Sequence, residues 1–251
     1  MASTAEGMGR SRIFGVLAAV ATLFVFVFLL GLGTWQVQRL QWKEGLLATI
    51  DARIHAAPLP LADIEDRYPD IEYMPVTLSG SFLYEGERHF FTTWEGQSGF
   101  SVYTPLRLDN GDVVFVNRGF VPYDRKDAAT RQEGQVAGEV EIVGLARAGL
   151  TERPSWIVPD NDPVKNVFYW KDIRAMAESA GLPASARVLP FFVDAGPAPN
   201  PGGLPIGGTT LIDLPNSHLQ YALTWYGLAA VLAVMSGLWL VRRIRRRAPG
   251  A

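Results

Sequence analysis

Two stretches without a single charge limit what this chain can become. Residues 13–35 (IFGVLAAVATLFVFVFLLGLGTW) and 221–241 (YALTWYGLAAVLAVMSGLWLV) hold no Asp, Glu, Lys or Arg. About 20 apolar residues rising 1.5 Å each cover a hydrocarbon layer of roughly 30 Å, so each stretch predicts a transmembrane helix. Within lipid a backbone must satisfy its own hydrogen bonds, and a helix does so without a partner. The expected order is a short N-terminal segment over 1–12, a span over 13–35, a domain over 36–217, a second span over 218–241 and a basic tail over 242–251.

Arg10 and Arg12 precede the first stretch, and Gly31-Leu32-Gly33 loosely matches a small-residue cleavage site, so a cleaved signal peptide is the alternative reading. The apolar run is longer than the usual h-region of about 7–15 residues, which favours a retained anchor. The second span runs into Arg242, Arg243, Arg245, Arg246 and Arg247. Basic flanks of this kind stay in the cytoplasm, which predicts both termini inside and the domain outside. The same arginines suit contact with anionic membrane lipids. A net charge of −2 gives no general attraction to nucleic acid.

The segment between the spans has the size of one ordinary domain and needs its own core. The chain has no cysteine, so burial rather than disulfides must stabilise that domain, and thiolate metal sites and cysteine nucleophiles are excluded. PVTLSGSF (75–82), ERHFFTTW (87–94), FSVYTPLRL (100–108), DVVFVNRGFV (112–121), GEVEIVGLARAG (138–149) and ARVLPFFVDAG (186–196) mix β-branched and aromatic residues with polar ones between turn formers. They predict a mainly antiparallel β domain, barrel-like or sandwich. Asn110-Gly111 predicts a type I′ hairpin turn. Asp172–Gly181 (DIRAMAESAG) predicts one short helix, opened by a capping aspartate and closed by glycine. The Pro/Gly-rich run 196–208 reads as a flexible connector.

Among polar residues, His218 stands at the entrance to the second span. At 100° per residue, Ala222, Trp225, Ala229, Leu232 and Ser236 fall within about 40° of its direction. A neutral imidazole is a standard iron ligand, tuned through its other ring nitrogen, for which Asn216, Ser217 or a carbonyl is at hand. The small residues below it have two readings: a groove for a flat ring with Trp225 against it, or the close approach of two helices. After the first span, Trp35 and Trp42 suit an interfacial aromatic belt, and Arg39 and Lys43 suit lipid phosphate. For Arg39, pairing with a propionate is the alternative to lipid phosphate. Asn117-Arg118-Gly119 reads as a structural turn, with a docking arginine as the alternative. His55 and His89 have no metal-ligand spacing to one another and read as surface or satisfied residues. The sequence contains no Gly-x-Ser-x-Gly, His-Glu-x-x-His, P-loop or Rossmann pattern, so no enzyme class is indicated.

GTWQVQRLQWKEGLL (33–47), PVTLSGSF (75–82), GFSVYTPLRLDNGDVVFVNRGFVP (99–122), NDPVKNVFYWKD (161–172) and NSHLQYALTWYGLA (216–229) resemble, in order, the blocks of the surfeit locus protein 1 (Shy-type) family of cytochrome c oxidase assembly factors. One block departs from the family's Asn-x-Trp-Tyr, reading Asn166, Val167, Phe168, Tyr169. The resemblance implies a non-enzymatic assembly factor of the inner (plasma) membrane that helps haem a enter the catalytic subunit of the oxidase. It implies haem a as the bound group, His218 as its axial ligand, and the catalytic subunit, haem a synthase and membrane lipids as partners. A haem-free scaffold that holds oxidase subunits or other assembly factors has the same topology and remains the alternative.

Overall fold

The computed structural model describes residues 3–210 and 216–245, with side chains from Ile13 onward. The tail arginines Arg246 and Arg247, and the side chains of Arg10 and Arg12, lie outside the described residues. The chain forms two compact units, one of residues 1–49 with 213–251 and one of 50–212.

The first unit is helical. Helix α1 spans Ser3–Ile54. It does not stop at Trp35, where the charge-free run ends, because no proline occurs before Pro58 and residues 36–54 are mostly good helix formers. The continuation adds roughly 28 Å of helix at 1.5 Å per residue. Residues 36–49 therefore belong with the helical unit rather than with the β unit. The C-terminal helix, numbered α4 below, spans His218–Arg245. Both are long and apolar enough to cross a membrane. Their apolar side chains face outward, as with Phe14, Phe24, Leu223 and Met235, which suits lipid rather than water as the surroundings. Glycine 33 lies against Tyr226 and glycine 15 against Arg243, so the two helices run antiparallel.

The second unit is built on a β-barrel. After strand β1 (Leu59–Pro60) and helix α2 (Leu61–Glu65) come β2 (Pro75–Phe82), β3 (Arg88–Trp94), β4 (Gln97–Arg107), β5 (Val113–Pro122), β6 (Glu139–Ala148), helix α3 (Ile173–Ser179) and β7 (Val188–Ala195). The strand order is β1-β2-β6-β7-β5-β4-β3, and β2 also pairs with β4. That extra pairing, Ser81 opposite Arg107 and Phe82 opposite Leu106, closes β2-β6-β7-β5-β4 into a barrel. Closure removes the exposed edges that an open sheet of these strands would carry. Pairing is antiparallel except for β1 with β2 and β5 with β7.

β4 and β5 are buried along nearly their whole length. Alternate residues face two different cores. Leu106, Val114, Val116, Phe191 and Val193 pack with Ile64, Ile71, Val76 and Leu78 in one cluster. Tyr103, Phe115 and Phe192 pack with Phe168 and Met176 of the α3 side in another. Helix α3 forms as the sequence indicates: the Asp172 carboxylate accepts from the Ala175 amide at 3.0 Å, and Gly181 just beyond it has φ +65.

Three turn-level expectations change. Asn110 is not left-handed; the β4–β5 loop is a turn in which the Gly111 amide donates to the Leu108 carbonyl and only Gly111 has positive φ. The Asn110 side chain instead accepts from the Asp112 amide at 2.9 Å, a local bond that stabilises a right-handed turn. The type I′ turn is at Glu95-Gly96, with φ 49 and 78, between the paired residues Trp94 and Gln97. Asn117-Arg118-Gly119 is not a turn but the middle of β5, and Arg118 is buried. The 196–208 run is pinned rather than loose: Ile206 and Phe120 exchange backbone hydrogen bonds, and Arg118 donates to Asn200.

Candidate functional site

His218 is the first residue of α4, and the absence of charge from Tyr221 to Val241 makes it the last titratable group before the apolar run. Its ring Nδ1 lies 2.7 Å from Oε1 of Gln36. Gln36 sits on α1 one turn beyond Gly33, and both are buried. Glycine is needed at 33, because a Cβ there would collide with the Tyr226 ring. The Tyr226 hydroxyl and Thr34 Oγ are 3.1 Å apart, a second polar link between the helices. Among the described residues Nε2 of His218 has no hydrogen-bond partner, and the residue is half-exposed.

The partner of His218 was not legible as such. Asn216, Ser217 or a carbonyl was expected to orient the ring, and Gln36 does so from 182 positions away. The available signal was a glutamine three residues after a glycine, on the same helical face, at the end of an apolar run. Down α4 from His218, Ala222 and Ala229 are buried, and Trp225 is partly buried. Further along, Leu232 and Ser236 line an apolar cleft of about 550 Å³ between the helices, opposite Ala19 and Phe26. The stripe of small residues is thus closed in its upper half and open in its lower half.

Arg39 does not reach His218. It is exposed, and its guanidinium lies over the Trp42 ring at 3.9 Å. Its plane is occupied by the indole, but its N–H edges make no hydrogen bond among the described residues. That arrangement suits an anionic group such as a carboxylate or phosphate.

The other two histidines differ. His55 is exposed, with Nδ1 2.9 Å from the Asp51 carbonyl. His89, expected to be a surface or satisfied residue, is buried in the β unit, and its Nε2 donates to Glu87 Oε1 at 2.8 Å. Its Nδ1 is buried without a partner. Arg131 also donates to Glu87, through two nitrogens. Burial alone would raise the Glu87 carboxyl; the hydrogen bonds from His89 and Arg131, with the charge of Arg131, outweigh it and hold that carboxyl below its ordinary value. Asn166, at φ 52, donates to the Glu87 carbonyl and accepts from the His89 amide. The adjoining Phe168 is fully buried and bridges to Phe90. These residues build the wall of the β unit. No group of three or more metal-ligating side chains occurs among the described residues.

Gln36 within α1 and His218 at the head of α4 both fall inside a matched family region. The SURF1 family model covers residues 23–230. The chain is 40% identical over 245 residues to Surfeit locus protein 1 of Rattus norvegicus, covering 91% of this chain and 76% of that protein. It is 38% identical over 245 residues to Surfeit locus protein 1 of Homo sapiens, covering 91% and 78%. A SURF1-like protein of Monosiga brevicollis is 38% identical over 228 residues, covering 86% and 84%. The two apolar helices, the β-barrel between them and this match over most of the sequence agree, and the chain belongs to the SURF1 family.

Proposed function

We propose that this chain is a membrane-anchored assembly factor for a haem–copper cytochrome c oxidase, without enzymatic activity of its own, and that it carries haem a as cargo toward the catalytic subunit. Membership of the SURF1 family supports the assembly role. One observation carries the haem reading: the His218 ring is held through Nδ1 at 2.7 Å while Nε2 has no hydrogen-bond partner among the described residues. An oriented imidazole with one nitrogen left open is what an axial iron ligand requires. When bound, the haem supplies the iron that the oxidase will use.

The remaining residues bind and orient. His218 offers its Nε2 lone pair, Arg39 offers N–H donors to a propionate, and Trp225 offers an aromatic face on the same side of α4 as His218. The apolar cleft at Leu232 and Ser236 suits an apolar tail. We place the chain in the inner (plasma) membrane, with both termini cytoplasmic and the β unit outside, because Arg242, Arg243 and Arg245 close the last turn of α4. Partners on this reading are the catalytic subunit, haem a synthase and the surrounding lipids. The haem-free scaffold draws support from the burial of Ala222 and Ala229, which shows helix contact serving part of the small-residue stripe.

The test is the absorbance spectrum of full-length protein purified in detergent from cells that make haem a. The carrier reading expects a haem a band in a fixed ratio to protein. Haem-free protein that still restores oxidase assembly in cells lacking their own copy would establish the scaffold instead.

A further inference from the structure

Resting on the reading of His218 as a ligand, the geometry points to Gln36 as the residue that sets the tautomer of His218 and, through its neutral amide, keeps that ligand weak enough to give up its cargo. A neutral imidazole ring carries one proton and one lone pair, and the nitrogen that donates a hydrogen bond cannot hold the lone pair. An acceptor 2.7 Å from Nδ1 draws the proton there and leaves the lone pair on Nε2.

Gln36 is placed to impose this. It is 8% exposed, so water does not compete for Oε1 as it would at an open surface. Its helix is held close to α4 by Gly33 against Tyr226 and by the 3.1 Å Thr34–Tyr226 contact, one turn away. The acceptor therefore belongs to a packed helix face rather than to a free side chain. The sequence around His218 offers Asn216, Ser217 and Gln220 as local polar groups, yet none of them bonds the ring among the described residues.

That the acceptor is an amide matters as well. A carboxylate in the same place would pull the Nδ1 proton more strongly, raise the basicity of Nε2 and tighten the iron bond. A glutamine fixes the ring with less electron donation. Orientation without strong basicity suits a ligand that has to release its cargo to another protein.

The experiment uses the full chain in lipid nanodiscs, with Gln36→Met, Gln36→Glu and His218→Ala variants. Methionine keeps the volume but lacks the acceptor; glutamate keeps the acceptor and adds charge. Histidine 15N NMR of the haem-free protein is the first readout, with the His218 signals assigned by their loss in His218→Ala. Wild type is expected to carry its proton on Nδ1, Gln36→Met to shift toward the Nε2-protonated form, and Gln36→Glu to retain Nδ1. Titration with haem b as the probe is the second: Gln36→Met is expected to bind about tenfold or more weakly than wild type. Gln36→Glu is expected to bind at least as tightly, to have a lower iron reduction potential and to transfer haem more slowly to apomyoglobin. An unchanged tautomer in Gln36→Met overturns the role of Gln36, whatever the haem titration shows. A changed tautomer with unchanged haem affinity, in a wild type that does bind, overturns its effect on the ligand. A tautomer that responds to Gln36 in a wild type that takes up no haem confirms the helix-to-helix pairing and brings down the haem reading on which the release argument stands.

Discussion

His89 in the β unit and His218 in the helical unit each have one ring nitrogen held by a side chain, at 2.8 and 2.7 Å. Each has a second nitrogen without a protein partner among the described residues. The difference is access and charge. His89 is 6% exposed, its free nitrogen is sealed in, and its partner is a carboxylate also held by Arg131. His218 is half-exposed at the head of a helix, and its partner is neutral. The first arrangement can serve only the fold, since nothing reaches the ring. The second leaves a ring nitrogen where a ligand can approach. Polar contacts in the β unit should therefore govern stability, and the polar contact in the helical unit should govern binding.

The largest expected effect breaks the β-unit side of this comparison. Arg131→Met removes the guanidinium partner of a buried carboxylate, leaving it only His89, and should destabilise the β unit by about 3–5 kcal/mol, read by denaturant unfolding of the full chain in detergent. The same cluster sets a pH dependence. The Glu87 carboxyl is lowered in the folded protein, so its stabilisation is complete above the unfolded value near 4.5 and is lost as pH falls through the folded one. Melting temperature should drop on acidification below that value, and the drop should be shallower in Glu87→Gln. A wild-type profile that stays flat into strong acid would show that the carboxylate contributes nothing.

Asn166→Ala comes next. It deletes the clip that joins the Glu87 carbonyl to the His89 amide and should cost about 1–3 kcal/mol, with the haem content of the surviving folded protein unchanged. Gly111→Val should cost roughly 1 kcal/mol. The φ of +87 disfavours a β-branched residue, although a Cβ at 111 would meet nothing within 4 Å. His55→Ala should fall within about 0.5 kcal/mol of wild type, because His55 is exposed and bonded only within its own helix turn. A cost as large as that of Asn166→Ala at His55 would blur the proposed division between the histidines.

The residues show why some of this was legible from the sequence. PVTLSGSF coincides with β2, and DIRAMAESAG contains α3 with its cap and its stop, because both depend on neighbours along the chain. The two long apolar helices were legible because a long run without charge is visible residue by residue along the chain. What escaped depends on residues far apart. Alternation along VVFVNRGFV could not show that both faces of β5 would be covered, since the second cover comes from α3 and Phe168. Asn110-Gly111 has the composition of a type I′ turn, but the Asn110 side chain bonds its own loop instead. Glu95-Gly96 lacks that composition and adopts it because β3 and β4 pair up to Trp94 and Gln97. The Glu87–His89–Arg131 cluster joins a strand to a segment more than forty residues later, and Gln36 meets His218 across most of the chain. The place of His218 at the head of the second apolar helix was legible, and its contact with Gln36 was not.

On the proposed function, His218 holds haem a and the other two histidines do not. Full-length wild type, His218→Ala, His89→Ala and His55→Ala, purified in parallel from cells that make haem a, test it in one measurement, the ratio of haem a absorbance to folded, membrane-inserted protein. His218→Ala is expected to lose the haem a band while remaining folded, and folded His89→Ala and His55→Ala to keep it. Haem a co-purifying with His218→Ala at the wild-type ratio would contradict the account and leave the haem-free scaffold as the better description of this chain.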